Sequence, residues 1–485
     1  MSDLAGQLDI HLDAHRGAVA IRSSRPLAAT RIFVGKSPSE AVRLLPTLFS
    51  LCGTAQAVAC VSACEQALGR QPSEAVLARR QALLLAETIK EHLWRLLLDW
   101  PRMLEPRAEP RAQGGVNASA SANASASASA SANAKANATT RASILGAPHA
   151  SAMPRVMRAF MGLRQTQQAA ADPFSLDQQQ AERGAAADLD PGALLDLVTE
   201  QVLEAAPTDW LQAVDSACAL QRWAEHARTP AAGLVRALAA QSLADSGANA
   251  VARLPSMAWN GLAHALAGAR ADAFIAAPQW QQHCAETGPL ARVADEPLVA
   301  ALLAEHGNGL LARLAALLVE LARSACELDG LCRASVPGQG QVPAAAAARG
   351  EAIATSPARP SAGRAARSGP AGAIGSDAGL SLPVEAGVGV GVGTETMMSA
   401  GKGTGIGTAE AARGLLLHRV CISDDRIEQY QILAPTEWNF HPQGVVAQGL
   451  VAIARGGVAG RELERLARLY ITAVDPCVDY QLSVS

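Results

Sequence analysis

Two cysteine half-motifs at opposite ends of this 485-residue chain are the residues best suited to do chemistry. Near the N-terminus runs Leu51-Cys52-Gly53-Thr54-Ala55, and near the C-terminus runs Asp475-Pro476-Cys477-Val478-Asp479-Tyr480. Each reads as a Cys-x-x-Cys pair whose second cysteine is gone, replaced by Ala55 in one and Tyr480 in the other. Paired thiolates at that spacing hold soft metals, and a site built from two such pairs needs four sulfurs. This chain keeps one sulfur from each pair. The pattern describes a protein shaped like a metalloenzyme without the donors to be one.

The remaining chemistry-bearing residues give weaker signals. Cys60 and Cys64 are spaced i, i+4 on an expected helix, where core packing is the plainer reading. Cys326 and Cys332 are too loosely spaced to define a site. Gly401-Lys402-Gly403-Thr404 lacks the phosphate-loop spacing: Thr396 stands where the earlier glycine is needed, and Gly403 follows the lysine. It reads as linker. No Ser/His/Asp nucleophile arrangement and no His-Glu-x-x-His motif is present.

Composition narrows the classes further. The net charge is -3 and the pI is near 6.4, with no basic patch to hold nucleic acid. No apolar run is long enough for a membrane span, and Met1-Ser2-Asp3-Leu4 does not open a signal peptide. Nine scattered cysteines in a long chain do not form a secreted disulfide framework, so a cytoplasmic location is expected. Hydrophobic residues are 49% of the chain but aromatics only 3%, which predicts a packed part smaller than the length suggests.

Five stretches must position the half-motifs. Residues 1–104 form an N-terminal region carrying the first half-motif. Gln7 to Leu12 alternates like a half-buried strand, and Val19 to Ser24 follows as a second one after the Arg16-Gly17 turn. Phe33 to Lys36 is expected as a short loop. Ser37-Pro38-Ser39-Glu40 then starts a helix with Leu44, Leu45, Leu48 and Phe49 as its apolar face. Helices are also expected over Ala57 to Leu68 and Glu74 to Trp100. Residues 105–190 form a low-complexity linker centred on the Ala/Ser/Asn tract from Asn117 to Thr140. Residues 191–333 are a helical middle region, with Leu298 to Leu328 as its clearest amphipathic helix. Residues 334–409 read as a Gly/Ala/Pro-rich disordered linker. Residues 410–485 carry the second half-motif, a hairpin of Leu415–Val420 and Ile427–Leu433 turning at Ser423-Asp424-Asp425, and a helix from Val458 to Tyr470.

The last region resembles a known family. Ala411-Ala412-Arg413-Gly414, His418, Ile427, Tyr430-Gln431, Pro435-Thr436-Glu437-Trp438-Asn439 and Asp475-Pro476-Cys477 occur in the order found in nickel–iron hydrogenase large subunits. Phe274-Ile275, Ala277-Pro278 and Gly288-Pro289-Leu290-Ala291-Arg292 resemble that family's central motif. His92 with Asp99-Trp100 resembles the helix after its first cysteine pair. The resemblance implies an α+β, mostly helical, hydrogenase large-subunit-like fold with its N- and C-terminal regions packed together and two low-complexity insertions. It also implies that Cys52 and Cys477 are metal-holding positions. Arg413 matches the family's active-site arginine, and it would contact the bound group or serve a structural ion pair. His92 and His418 are expected to orient backbone or a nearby cysteine, and Trp438 and Asn439 to pin the loop after the hairpin.

The departures from the family decide what the resemblance implies about function. The bridging-cysteine positions are Ala55 and Tyr480, so no stable nickel–iron centre is expected. Ala5-Gly6-Gln7 lacks the acid and histidine of the family's first motif. The chain ends eight residues past Cys477 without a histidine there, so no C-terminal processing is expected. Together these features resemble the HupK/HoxV type of hydrogenase expression/formation protein. That resemblance implies a non-catalytic maturation scaffold. It would transiently hold iron with cyanide and carbon monoxide ligands and pass it to the hydrogenase large subunit. The implied partners are the large subunit precursor, a small maturation chaperone and the iron-fragment assembly proteins. The alternatives are a metal-free, partner-binding assembly protein and a divergent hydrogenase large subunit.

Overall fold

A computed structural model describes residues 6–25, 27–104, 151–186, 188–255, 258–334 and 402–485. The two chain ends meet in one sheet. Strand β1 (Gln7–Asp13) pairs antiparallel with β2 (Ala18–Ser23), and the terminal strand β8 (Asp479–Val484) lies parallel along the other edge of β1. Leu8 faces Tyr480 and Ile10 faces Leu482 across that edge. Alternation sets the buried face: Leu8, Ile10 and Leu12 are all buried in the largest core cluster.

After β2 comes a short 3-10 helix, Leu27–Phe33, and residues 34–36 then form the expected loop. Helix α1 (Pro38–Leu48) starts where the sequence places it. The Glu40 amide donates to Ser37 Oγ at 3.3 Å, and the Ser37 amide donates to Glu40 Oε2 at 2.8 Å, a complete capping box. Its buried face differs from the expected one. Ala41, Val42 and Leu45 are buried, whereas Leu44 is 39% exposed and Leu48 and Phe49 are only half-buried.

Helix α2 (Gly53–Ala67) follows directly and is buried almost throughout. Against it lies β5 (Lys402–Ala411), the outer strand of a sheet ordered β5-β6-β7, with β6 at Gly414–Ser423 and β7 at Arg426–Leu433. The expected hairpin is present, and Asp424 and Asp425 turn it with positive φ angles of 50° and 56°. Residues 402–409 are a correction: they form a strand and not linker. Glycine at every second position reads as linker by composition, but here it permits contact between backbones. A Cβ on Gly403, Gly405 or Gly407 would fall 1.8, 1.9 or 2.1 Å from the carbonyl oxygens of Ala67, Ala63 and Ala59. Small residues on both sides let a strand lie directly on a helix.

Residues 105–190 are also less of a linker than expected. Met153–Ala170 and Gln178–Ala185 are helices, and Val156, Phe160 and Leu163 are buried in the core. The Asn117–Thr140 tract lies outside the described residues. Helix α3 (Glu74–Trp94) continues through a π turn, Arg95–Asp99, into Trp100–Leu104. The single helix expected over Leu298–Leu328 is two, Pro297–His306 and Leu310–Ala334. Gly307, at φ 62°, and Gly309 break it. The Leu310–Ala334 helix packs on α3, where His92 Nε2 lies 2.7 Å from Glu320 Oε2. Short parallel strands β3 (Ala252–Arg253) and β4 (Ala285–Glu286) deliver the following Thr287-Gly288 segment to the back of the site. Among the described residues no single helix is long and apolar enough to cross a membrane.

The strand-on-helix contact gives a direct test. Gly405→Ala must push β5 off α2 and is expected to destabilise the protein by about 3 kcal/mol, the cost of overpacking a tight core. Gly330→Ala, which meets nothing within 4 Å, should be neutral or stabilising. Thermal melts would show it: equal melting temperatures for the two variants would refute the close-approach account.

Candidate functional site

Cys52 and Cys477 share one cavity of about 140 Å³. Cys52 ends a 3-10 turn and stands at the N-cap of α2. Cys477 follows the Gly460–Val474 helix, which Asp475 terminates in the left-handed conformation (φ 63°), and Pro476 blocks any continuation. The pairing of β8 with β1 then carries the Cys477 segment back to the N-terminal region. Phe49, Leu51, Leu416, Pro435 and Val478 make the apolar part of the wall.

Different groups hold the two sulfurs. Thr436 Oγ1 lies 2.7 Å from Cys477 Sγ, and Arg25 Nη1 approaches the same sulfur at 3.8 Å. The Gln56 amide donates to Cys52 Sγ at 3.6 Å. Burial, with Cys477 and Glu87 nearby, pushes the Cys52 thiol up to about 12, and Arg413 and Gln56 offset this only in part. At neutral pH Cys52 is therefore a protonated thiol, and any metal that binds it must displace a proton.

Arg413 comes from the turn between β5 and β6, and it enters the cavity wall already paired. Its Nη2 donates to Glu91 Oε2 at 3.0 Å, and its Nε lies 3.2 Å from Asp475 Oδ2 without the alignment of a hydrogen bond. Asp475 also takes Arg95 Nη2 at 2.6 Å from the π turn after α3. The backbone around Arg413 is clamped. Asn439 Nδ2 donates to Thr287 O at 2.9 Å and reaches Arg413 O at 3.4 Å, while Asn439 Oδ1 accepts the Thr287 amide at 3.0 Å. A Cβ on Gly414 would strike Thr287 at 2.5 Å, so this approach requires glycine. Arg292 braces the same turn, donating to Glu410 at 3.0 Å and to Ala412 O at 3.2 Å. Asn439 thus pins the loop to the turn that presents Arg413.

Two residues of the site carry no motif in the sequence. Arg25, at the end of β2, pairs with Glu437 Oε1 at 2.8 Å, both side chains being nearly buried. Glu87, on α3, accepts the backbone amides of Thr54 at 2.8 Å and Ala55 at 3.0 Å, so a carboxylate holds the N-terminus of α2. Burial raises the Glu87 pKa against the pull of Lys90 and these two amides. The half-motif positions lacking cysteine offer nothing to the cavity. Ala55 is buried among Ala409, Ala411 and Leu416, and Tyr480 lies on β8 against the main core.

The other candidates are placed elsewhere. Cys60 and Cys64 are buried beside Phe33, Val61 and Tyr430, in a packed cluster. His418 Nδ1 lies 2.9 Å from Tyr430 Oη, and burial lowers the imidazole to about 3. Cys326 Sγ contacts Thr208 Oγ1 at 3.4 Å. Among the described residues no group of three or more His, Cys, Asp or Glu side chains is arranged to hold a metal ion.

Residues 391–467, which include the Arg413 turn and Asn439, match the model of the nickel-dependent hydrogenase family. Over nearly its whole length the chain is similar to proteins described as hydrogenase expression/formation proteins. It is 27% identical to the hydrogenase expression/formation protein HupK of Azotobacter vinelandii over 99% of both chains. It is 28% identical to HoxV of Cupriavidus necator over 95% of this chain and 91% of that one. It also aligns with the [NiFeSe]-hydrogenase of Dm. baculatum at 15% identity and a TM-score of 0.46, over 95% of this chain and 93% of that one.

Two measurements test these electrostatics. Cys52 should react with iodoacetamide at pH 8 roughly a hundredfold or more slower than exposed Cys218, read by peptide mass spectrometry; comparable rates would refute the protonated-thiol assignment. His418 protonates near 6.5 when unfolded and near 3 when folded, so the unfolded state takes up the proton first. Stability should fall by a few kcal/mol, on the order of 1.4 per pH unit, as pH drops through that window. His418→Gln should flatten this limb in denaturant titrations, and an unchanged slope would refute it.

Proposed function

We propose that this protein acts in hydrogenase formation as a non-catalytic scaffold. In this reading it carries an iron fragment bearing cyanide and carbon monoxide, held between Cys52 and Cys477, and passes it to the hydrogenase large subunit. The carrying observation is that one thiol from each end of the chain faces a single small cavity walled by apolar side chains and two guanidinium groups. Thiolate sulfur is a soft donor suited to low-valent iron. The apolar wall suits carbon monoxide, and guanidinium N–H groups suit the nitrogen end of cyanide. Two sulfurs hold the fragment where four would bury it in a permanent centre. Reprotonation of Cys52 then favours release. The expected partners are a small maturation chaperone and the iron-fragment assembly proteins on the delivery side, with the large subunit precursor receiving. Their setting is the cytoplasm.

One observation favours a second reading, a metal-free assembly protein that binds partners. Both guanidinium groups of the cavity wall are already paired, Arg25 with Glu437 and Arg413 with Glu91 and Asp475. Such a site is stable without cargo.

Infrared spectroscopy separates the readings. The chain purified anaerobically from cells expressing the whole maturation set should show cyanide and carbon monoxide stretching bands. Those bands should vanish in Cys52→Ala and in Cys477→Ala. Protein free of such bands and of iron would move the assignment to the metal-free reading.

A further inference from the structure

The geometry points to Arg25 as a second cation that grips the cargo, setting its preference for anionic diatomic ligands beside Cys477. This inference rests on the scaffold reading above. Arg25 lies at the end of β2, far in sequence from either half-motif, yet it lines the cavity and brings Nη1 to 3.8 Å from Cys477 Sγ. The same nitrogen lies 2.8 Å from Glu437 Oε1. Glu437 is in turn fixed, because its Oε2 accepts the Ala434 amide at 3.0 Å. The guanidinium is therefore held by a carboxylate that cannot swing away. Its backbone is equally confined: Gly6, at φ 69°, lies so close that a Cβ there would meet Arg25 Cα at 2.5 Å.

A guanidinium carries five N–H donors in a rigid fork. Glu437 and Cys477 both engage Nη1, one of the three nitrogens of that fork. A buried ion pair is weak evidence of a stabilising role, since two apolar groups of similar size would serve the fold as well. A charge pair on the wall of a cavity, beside a thiol, is also placed to meet what enters the cavity. Arg413 approaches from the β5–β6 turn and Arg25 from β2, so the two donors act from separate elements. A fragment bearing anionic cyanide and neutral carbon monoxide suits a wall that combines cationic donors with apolar side chains.

The test uses the full chain in its maturation background, with infrared spectra of wild type, Arg25→Gln and Arg25→Lys, and thermal melts of each. In Arg25→Gln the cyanide bands should shift more than the carbonyl band, and cargo retention after dilution should fall roughly tenfold to a hundredfold, as for loss of a charge-assisted hydrogen bond. Arg25→Lys keeps the charge without the fork and should retain cargo better than Arg25→Gln, still with displaced cyanide bands. If wild type carries bands and both variants match it in position and retention, Arg25 has only a structural role and the inference fails alone. If wild type carries no bands, the scaffold reading fails and this inference falls with it. Should Arg25→Gln not fold, Arg25→Lys decides: cyanide bands identical to wild type overturn the proposal.

Discussion

The parallel pairing of β8 with β1 is the constraint on which the site depends. Six register pairs, from Gln7–Asp479 to Leu12–Val484, fix the last strand beside the first. A parallel pair has no tight-turn route, and here the connection is nearly the whole chain. Closing that loop costs little more entropy than closing one half as long, because the cost grows only logarithmically with length. The buried Leu8, Ile10 and Leu12 stripe sets the register, since a one-residue slip would turn those side chains out of the core. With the register fixed, Cys477 stands just before β8 and facing the N-terminus of α2. Neither half-motif could act without it.

Charge placement is the second organising feature. Buried arginines Arg80, Arg292, Arg313 and Arg413 all meet carboxylates, from Glu65, Glu320 and Glu410, Glu286, and Glu91 and Asp475 respectively. Most of these pairs join segments far apart in the chain, so they specify which elements meet more than they stabilise the fold. Around the cavity this pairing has a chemical result. Arg413 is immobilised by two acids and a clamped backbone, and Cys52 lies protonated under its partial influence. Any metal entering at Cys52 would have to displace that proton.

Local signals in the sequence were accurate where one helix turn or one hairpin carried the information. The Ser37 capping box and the Asp424-Asp425 turn needed no tertiary knowledge. The meeting of the chain ends followed from two half-motifs that are useless apart. What the sequence hid was non-local. Gly403, Gly405 and Gly407 read as linker because their role exists only against Ala59, Ala63 and Ala67. Gly307 and Gly309 broke a helix whose apolar periodicity runs through them. Arg25 and Glu87 belong to no motif; each is recognised only by its partner, Glu437 in one case and the free amides of α2 in the other.

Glu87 also changes the meaning of the missing cysteine at position 55. A thiolate there would bring negative charge to the N-terminus of α2, where unpaired amides favour it. Glu87 supplies that charge from α3, satisfying the amides of Thr54 and Ala55 directly. The methyl of Ala55 meanwhile fills a cluster with Ala409, Ala411 and Leu416, so the position packs the β5 contact and does not line the cavity. The second half-motif is altered in a comparable way, with Tyr480 packed on β8 against the core. The two positions therefore serve the fold: Glu87 satisfies the helix terminus, and Ala55 packs against β5. Such a frame is held by protein contacts alone. A frame of that kind is compatible with the proposed scaffold role, because it does not depend on a resident metal centre.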